Sequence, residues 1–189
     1  YGEINDWNVG RITDMSQLFS FKTTFNSNIS NWNVSNVTNM DKMFYNNQVF
    51  NQPLGSWDVS SVTDMNQMFQ FALDFNQDIN NWDVSSVTTM KSMLNRNDVF
   101  NQPLDSWDVS SVIDMDSMFG GCKLFNQNIS SWNVSNVTTM GGMFFGNWAF
   151  DQPLDNWDVS SVIDMTQMFS SATSYNQDLS TWDVFKVTS

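Results

Sequence analysis

The sequence predicts an α/β repeat solenoid of about eight 25-residue coils, with a parallel β-sheet on one face and short helices on the other. Three observations predict this fold. Tryptophan recurs every 25 residues, from Trp7 to Trp182, without an insertion or deletion. A Leu/Ile-x-x-Trp-x-Val pattern surrounds each of these tryptophans, and a Met-x-x-Met-Phe pattern follows it in almost every unit. One unit cannot bury these apolar side chains alone, whereas stacked units can.

The strand is predicted from Leu54, Trp57 and Val59, whose spacing has the form of the leucine-rich-repeat strand, L-x-x-L-x-L. Trp57 and Val59 lie two residues apart, so both should point into the core from one side of a strand. The residue between them should then face solvent, and in every unit it is Asp or Asn. This outward row is the candidate ligand face: Asp58, Asp83, Asp108, Asn133, Asp158 and Asp183, preceded by Asn8 and Asn33.

The short helix is predicted from Met65, Met68 and Phe69, whose i, i+3, i+4 spacing describes one face of a helix. Asp64 and Gln67 have the form of a capping box, as do the equivalent residues of the unit that begins at residue 151. The predicted N-cap residues are Asp14, Asn39, Asp64, Thr89, Asp114, Thr139 and Asp164. The predicted core consists of Met65, Met68 and Phe69 together with Trp32, Trp57, Trp82, Trp107, Trp132 and Trp157.

A second period, of 50 residues, is visible in Pro53, Pro103 and Pro153. Proline cannot donate to a sheet, so this position should lie in the loop that returns to the next strand. We expect the amides of the same loop to stack and to satisfy turn backbone: Asn26, Asn51, Asn76, Asn101, Asn126, Asp151 and Asn176. Units start near residues 1, 26, 51, 76, 101, 126, 151 and 176. Together they predict one domain over 1–189, which we interpret as a segment of a longer protein.

Composition excludes several functions. The chain has 7 Lys and Arg against 20 Asp and Glu, a net charge of −13, which argues against binding nucleic acid. It has no histidine, the commonest general base and metal ligand. Its one cysteine, Cys122, shares a position with Ala72 and Ala172 and should be buried. No apolar stretch is long enough to enter a membrane. We therefore predict no enzyme activity, no catalytic residue, no cofactor and no metal site.

The repeats also resemble a known family. Units such as FNQPLDSWDVSSVIDMDSMF are similar to those of BspA-like leucine-rich-repeat surface proteins, and the resemblance covers the whole chain. It is carried by the motif W-(D/N)-V-S-x-V-T-x-M-x-x-M-F. The resemblance implies a leucine-rich-repeat solenoid at a cell surface or in the extracellular matrix, with an adhesive or interaction role. It implies no catalytic residue.

We therefore expect a non-enzymatic surface module that binds a protein or a glycan. The alternative is a structural filament or spacer that assembles by end-to-end stacking of repeats. A weaker alternative is a repeat stabilised by Ca²⁺ on the Asp row, although three of its eight positions are Asn; that face could equally be only a solvated surface. Aromatic residues without a counterpart in most units are candidate partner contacts, unless they pack on neighbouring loops: Phe21, Tyr45, Phe71, Phe145 and Trp148.

Overall fold

The computed structural model describes residues 2–189, and over this range the predicted α/β solenoid is wrong. The regular structure of these residues is limited to one 3-10 helix, Ile4–Asp6. Residues 2–189 contain neither the short α-helices nor the parallel β-sheet that a leucine-rich repeat requires. Each 25-residue unit is instead a succession of tight turns, and isolated parallel bridges join one unit to the next.

The predicted helix is replaced by turns that contain left-handed residues. Met65, Met68 and Phe69 are fully buried, as predicted. However, Gln67 and Phe71 have φ angles of 54° and 58°, whereas a right-handed helix needs φ near about −60° at every residue. The same two positions have positive φ in every unit from residue 17 to residue 171. The i, i+3, i+4 spacing therefore arises because residues on both sides of a tight turn are buried. One face of a helix would show the same spacing.

The N–H groups of this segment alternate between two roles. Phe69 N donates to Met93 O of the next unit at 2.8 Å. Three other N–H groups of this segment likewise donate to the main-chain carbonyl of the residue 24 positions later. Met68 N instead donates to Met65 O at 3.2 Å and closes a turn within the unit. The pattern recurs at every unit boundary between residues 15 and 170. These bonds satisfy main-chain groups that a helix would have paired internally.

The side chains of the predicted strand are buried and exposed as expected, but its main chain does not pair with the neighbouring units as a strand would. Trp57 and Val59 are buried and Asp58 is exposed. Trp57 N closes a turn onto Leu54 O at 3.0 Å, and a second turn begins at Val59. No main-chain hydrogen bond within residues 2–189 links 57–59 to a neighbouring unit. The bridges lie instead at the predicted N-cap position, where Asp64 pairs in parallel with the equivalent residues on both sides.

One hydrophobic cluster extends from Val9 to Met168 and is built from the same positions in each unit. Aromatic rings stack along it: the Phe69 and Phe75 centroids are 3.9 Å apart within a unit, and those of Phe44 and Phe69 are 5.4 Å apart across a boundary. The predicted core tryptophans from Trp32 to Trp157 are all at most 4% exposed. Prediction of the core from apolar positions is therefore confirmed, although the element types are not.

The predicted amide row is confirmed. Asn51 Oδ1 accepts hydrogen bonds from Asn76 N at 3.0 Å and from Gln77 Nε2 at 2.8 Å, both in the next unit. The equivalent bonds continue along the row to Asp151. Pro53 lies two residues beyond Asn51, in a loop outside the bridges, as expected.

A buried asparagine in alternate units accompanies the 50-residue period, and sequence reasoning missed it. Asn97 is fully buried; its Nδ2 donates to Phe75 O at 2.9 Å and its Oδ1 accepts from Phe100 N at 3.1 Å. At the same position Ala72 uses its main-chain carbonyl to accept from Phe75 N at 3.2 Å. Asn47 and Asn147 are buried at the same position; Asn147 makes the equivalent bonds, whereas the amide of Asn47 has no hydrogen-bond partner within residues 2–189. Cys122 occupies an intervening unit and is buried, as predicted.

Candidate interaction surface

The acidic row consists of Asp58, Asp83, Asp108, Asn133, Asp158 and Asp183, and every member is exposed. Each side chain is held by a local turn. Asp58 Oδ1 accepts from Ser60 N at 3.1 Å and from Ser60 Oγ at 2.6 Å, and Asp83 makes the same two bonds to Ser85. Because both donors favour the charged carboxylate, they lower the pKa of Asp58 below its ordinary value. The row is thus a fixed series of polar groups.

Asparagine reproduces this local geometry without the charge. Asn133 Oδ1 accepts from Ser135 N at 3.2 Å and from Ser135 Oγ at 2.8 Å. The turn therefore needs an acceptor oxygen and does not need a carboxylate. The contact therefore does not require the negative charge of Asp58 and Asp83, and both side chains are exposed.

Neither a cluster of metal-ligating side chains nor a membrane-spanning helix is found within residues 2–189. In the part of the chain described, no three His, Cys, Asp or Glu side chains are grouped as a metal site would require. The calcium interpretation of the acidic row therefore has no supporting geometry within residues 2–189. Over the same range, no helix has the length and hydrophobicity needed to cross a bilayer.

Three of the five candidate partner aromatics lie together. The Phe21 and Tyr45 rings are 5.2 Å apart and inclined at 66°, and the Tyr45 and Phe71 rings are 6.0 Å apart and inclined at 88°. Both pairs have the edge-to-face arrangement that aromatic rings prefer. Phe21 is 65% exposed, so three neighbouring units form one aromatic strip at the surface. We call Phe21, Tyr45 and Phe71 the aromatic strip.

The other two aromatics, Phe145 and Trp148, belong to a different unit and do not extend the strip. Trp148 is 54% exposed, and Lys123 Nζ lies 5.2 Å from its ring centroid. Lys123 also forms an ion pair with Asp98. The predicted set of five therefore separates into the strip and a second exposed group, whose Trp148 contacts a cation of the neighbouring unit.

Phe145 borders a cleft that sequence reasoning missed. The cleft has a volume of about 400 Å³ and opens where Gly141 and Gly142 replace the side chains of other units. Asp116 and Asp164 flank it from the two adjacent units. The signal was present in the sequence, because two successive glycines occur at these positions in one unit alone. We call this feature the Gly141 cleft.

Comparison with known proteins gives one result that covers the described chain. The family model described as "Mycoplasma protein of unknown function, DUF285" matches residues 2–107 and again residues 95–189. No curated protein and no solved structure shows significant similarity to the chain. Because the two matches together span residues 2–189, the chain belongs to this repeat family of unknown function.

Proposed function

We propose that the chain is a non-enzymatic interaction module that binds a protein or glycan partner at a cell surface or in the extracellular matrix. The acidic row carries this proposal. Its members recur once in each 25-residue unit, are exposed, and are held by local hydrogen bonds. A partner therefore meets ordered groups and loses little free energy in ordering them.

Charge supports the same proposal. Asn133 shows that the turn does not need a carboxylate, yet five of the eight residues at this position of the repeat are Asp, and the others are Asn8, Asn33 and Asn133. The chain as a whole has a net charge of −13. A row of negative charges makes the local electrostatic potential more negative and attracts a positively charged partner. A basic protein surface or a cationic glycan fits this face best.

The resemblance of the repeats to BspA-like surface proteins supports an extracellular location. That family is associated with adhesion and interaction at cell surfaces, and the repeats of this chain share its W-(D/N)-V-S motif. The location proposed here rests on this resemblance, and the binding role rests on the exposed row.

The experiment is to probe the purified chain on arrays of glycans and of extracellular-matrix proteins. We expect binding that weakens as salt rises, because exposed charges are screened. A charge-matched pair of variants locates the contact: Asp58→Asn, Asp83→Asn and Asp108→Asn on the row, against Asp74→Asn, Asp78→Asn and Asp178→Asn at exposed sites outside it. Only the first variant should lose binding. Absence of binding on both arrays would contradict the proposed function.

The unit boundary favours a second candidate, a filament or spacer. At each boundary one unit donates from positions such as Gln67 and Phe69, and the next accepts at Lys91 and Met93, both at 2.8 Å. Units are thus complementary head to tail, and copies of the chain that used the same bonds would form an open assembly. Sedimentation velocity across a range of concentrations, without any ligand, tests this. Growth into polymers favours assembly, and a constant species favours the interaction module.

A further inference from the structure

The Gly141 cleft lies at a position of the repeat whose side chains contact each other across two of the other unit boundaries. Asn66 Nδ2 donates to Asp41 Oδ1 at 2.7 Å, and Lys91 Nζ lies 3.7 Å from Asp116 Oδ1. Each contact joins equivalent positions of neighbouring units. We call this set the contact row: Ser16, Asp41, Asn66, Lys91, Asp116, Gly141 and Thr166.

Asp116 faces Gly141 as Asp41 faces Asn66, but a glycine has no side-chain donor to offer. A Cβ atom placed on Gly141 would lie 3.0 Å from Asp116 Oδ2 and 3.5 Å from Asp164 Oδ2. The two carboxylates therefore converge on the same space from opposite sides. Within residues 2–189 the Asp116 carboxylate accepts no hydrogen bond, and Lys91 is its ion-pair partner.

Backbone geometry does not require these two glycines. Gly141 does not have positive φ. Gly142 has φ of 59°, but the equivalent position carries a side chain in six other units, at φ between 52° and 59°. Those residues are Gln17, Lys42, Gln67, Ser92, Ser117 and Gln167. The cleft is therefore a departure from the repeat that the turn itself does not impose.

The lining of the cleft combines negative charge with an aromatic wall. Phe145 is 36% exposed and lines the cleft, as do Ser117 and Thr166. Hydrogen bonds from Thr166 lower the pKa of Asp164, so this carboxyl is charged at neutral pH. The Asp116 side chain is 28% exposed, which leaves it within reach of a ligand in the cleft.

We propose that the Gly141 cleft binds the guanidinium group of an arginine side chain on a protein partner. A guanidinium is planar and carries five N–H donors, so it can bond two carboxylates while its face packs on an aromatic ring. Asp116, Asp164 and Phe145 supply these three contacts. The ammonium group of a lysine could pair with the two carboxylates, but it has no planar face to pack on Phe145. This inference rests on the proposed function and identifies the partner of that module as a protein.

The test is an NMR titration of the isotope-labelled chain with N-acetyl-arginine amide. N-acetyl-citrulline amide, which has nearly the same shape without the charge, is the matched control, and methyl glucoside tests for a sugar. Arginine should produce saturable shifts of the Gly141 and Gly142 amide signals, and the two neutral probes should not. Equal shifts with citrulline, larger shifts with the glucoside, or no shift with arginine would each overturn the inference.

Three variants separate binding in the cleft from binding elsewhere. Gly142→Gln introduces the side chain found at Gln67 and Gln167, and it should weaken arginine binding by about tenfold or more by filling the cleft. If that variant does not fold, Asp116→Asn keeps the shape, removes one charge and should weaken binding comparably. Lys91→Ala should instead tighten binding, because it removes the cation that competes for Asp116. Unchanged affinity in the folded variants would refute the assignment.

Failure of this inference is distinguishable from failure of the proposed function. If the array ligand binds through the acidic row while arginine leaves Gly141 unshifted, only the cleft assignment falls. If arginine binds the cleft but neither array gives a ligand, the cleft assignment stands and the proposed surface role falls.

Discussion

The indole Nε1 of Trp82 donates a hydrogen bond to the main-chain carbonyl of Leu54, in the preceding unit, at 3.0 Å. The same carbonyl accepts from Trp57 N at 3.0 Å, so one oxygen holds a turn of its own unit and a side chain of the next. Equivalent bonds of 2.8 to 3.2 Å occur from Trp32 to Trp182. Each indole thus joins its unit to the carbonyl 28 residues earlier, and this bond recurs with the same 25-residue period as the tryptophans.

Trp82→Ala should lower the free energy of unfolding by about 3–5 kcal/mol, because it removes a large side chain that is only 2% exposed. Trp82→Phe should cost less, since it keeps a buried ring but loses the bond to Leu54, worth about 0.5–1.5 kcal/mol. Urea denaturation measures both. Trp7→Ala is the matched control: Trp7 is 50% exposed, so its loss should cost under about 1 kcal/mol. Equal losses at Trp7 and Trp82 would contradict the account of the core.

Asp83→Asn should change the free energy of unfolding by less than about 0.5 kcal/mol. The reason is that Asn133 already makes the same bonds to its turn, at 3.2 and 2.8 Å. Asp83→Ala should be the more destabilising change, because Ser85 N and Oγ then lose their acceptor. Thermal unfolding of the two variants side by side measures the difference. A larger loss in the Asn variant would show that the carboxylate itself stabilises the turn.

Asn97→Ala should cost about 1–3 kcal/mol, because it leaves the buried Phe75 O and Phe100 N without their side-chain partner. Asn80→Ala, at a partly exposed site, serves as the control and should cost less. Chemical denaturation provides the measurement. If Asn97→Ala is as stable as the native chain, the loop has adopted the turn that Ala72 uses, and the buried asparagines are not needed for the 50-residue period.

Stability should fall at alkaline pH because of Tyr175. Its hydroxyl is buried without a hydrogen-bond partner in residues 2–189, and burial together with Asp151 and Asp155 raises its pKa to about 12. The raised pKa means that the folded chain holds this proton more tightly than the unfolded chain does. The stability that the raised pKa of Tyr175 contributes is therefore complete below about pH 10 and is lost as pH rises toward 12.

Tyr175→Phe should remove this loss, and it restores the ring found at Phe150 and its equivalents. At neutral pH the variant should be as stable as the native chain or more stable by about 1 kcal/mol, because an unsatisfied buried hydroxyl has gone. Denaturation curves at pH 8 and pH 11 compare the two chains. A variant that loses as much stability as the native chain between these pH values would refute the role of Tyr175.

The buried residues could be predicted from the sequence, whereas the conformation of the backbone could not. Trp57, Val59 and Met65 point inward and Asp58 outward, as their spacing predicts. The spacing does not distinguish a helix face from consecutive turns, because both bury residues at i, i+3 and i+4. The information that does distinguish them is the positive φ at Gln67, at Phe71 and at their equivalents in the other units, and these residues are seldom glycine. Gly121, Gly142 and Gly146 are the exceptions, and they are the signal that sequence reasoning did not use.

The candidate surface was predicted in part for a related reason. Exposure of Asp58 follows from the alternation of inward and outward residues. The contact between Phe21 and Tyr45 does not, because the two residues stand at different positions of their units and meet only through the path of the turns. The Gly141 cleft likewise depends on Asp116 and Asp164, which belong to the units on either side.

The most direct test of the central claim is the dissociation constant of the strongest array ligand, measured for three chains. These are the native chain, the row variant Asp58→Asn/Asp83→Asn/Asp108→Asn, and the control variant Asp74→Asn/Asp78→Asn/Asp178→Asn. If the acidic row binds the partner, the row variant should bind about tenfold more weakly or worse, with an unchanged melting temperature. The control should match the native chain. Equal affinities in all three chains would contradict the claim that this face of the molecule carries its function.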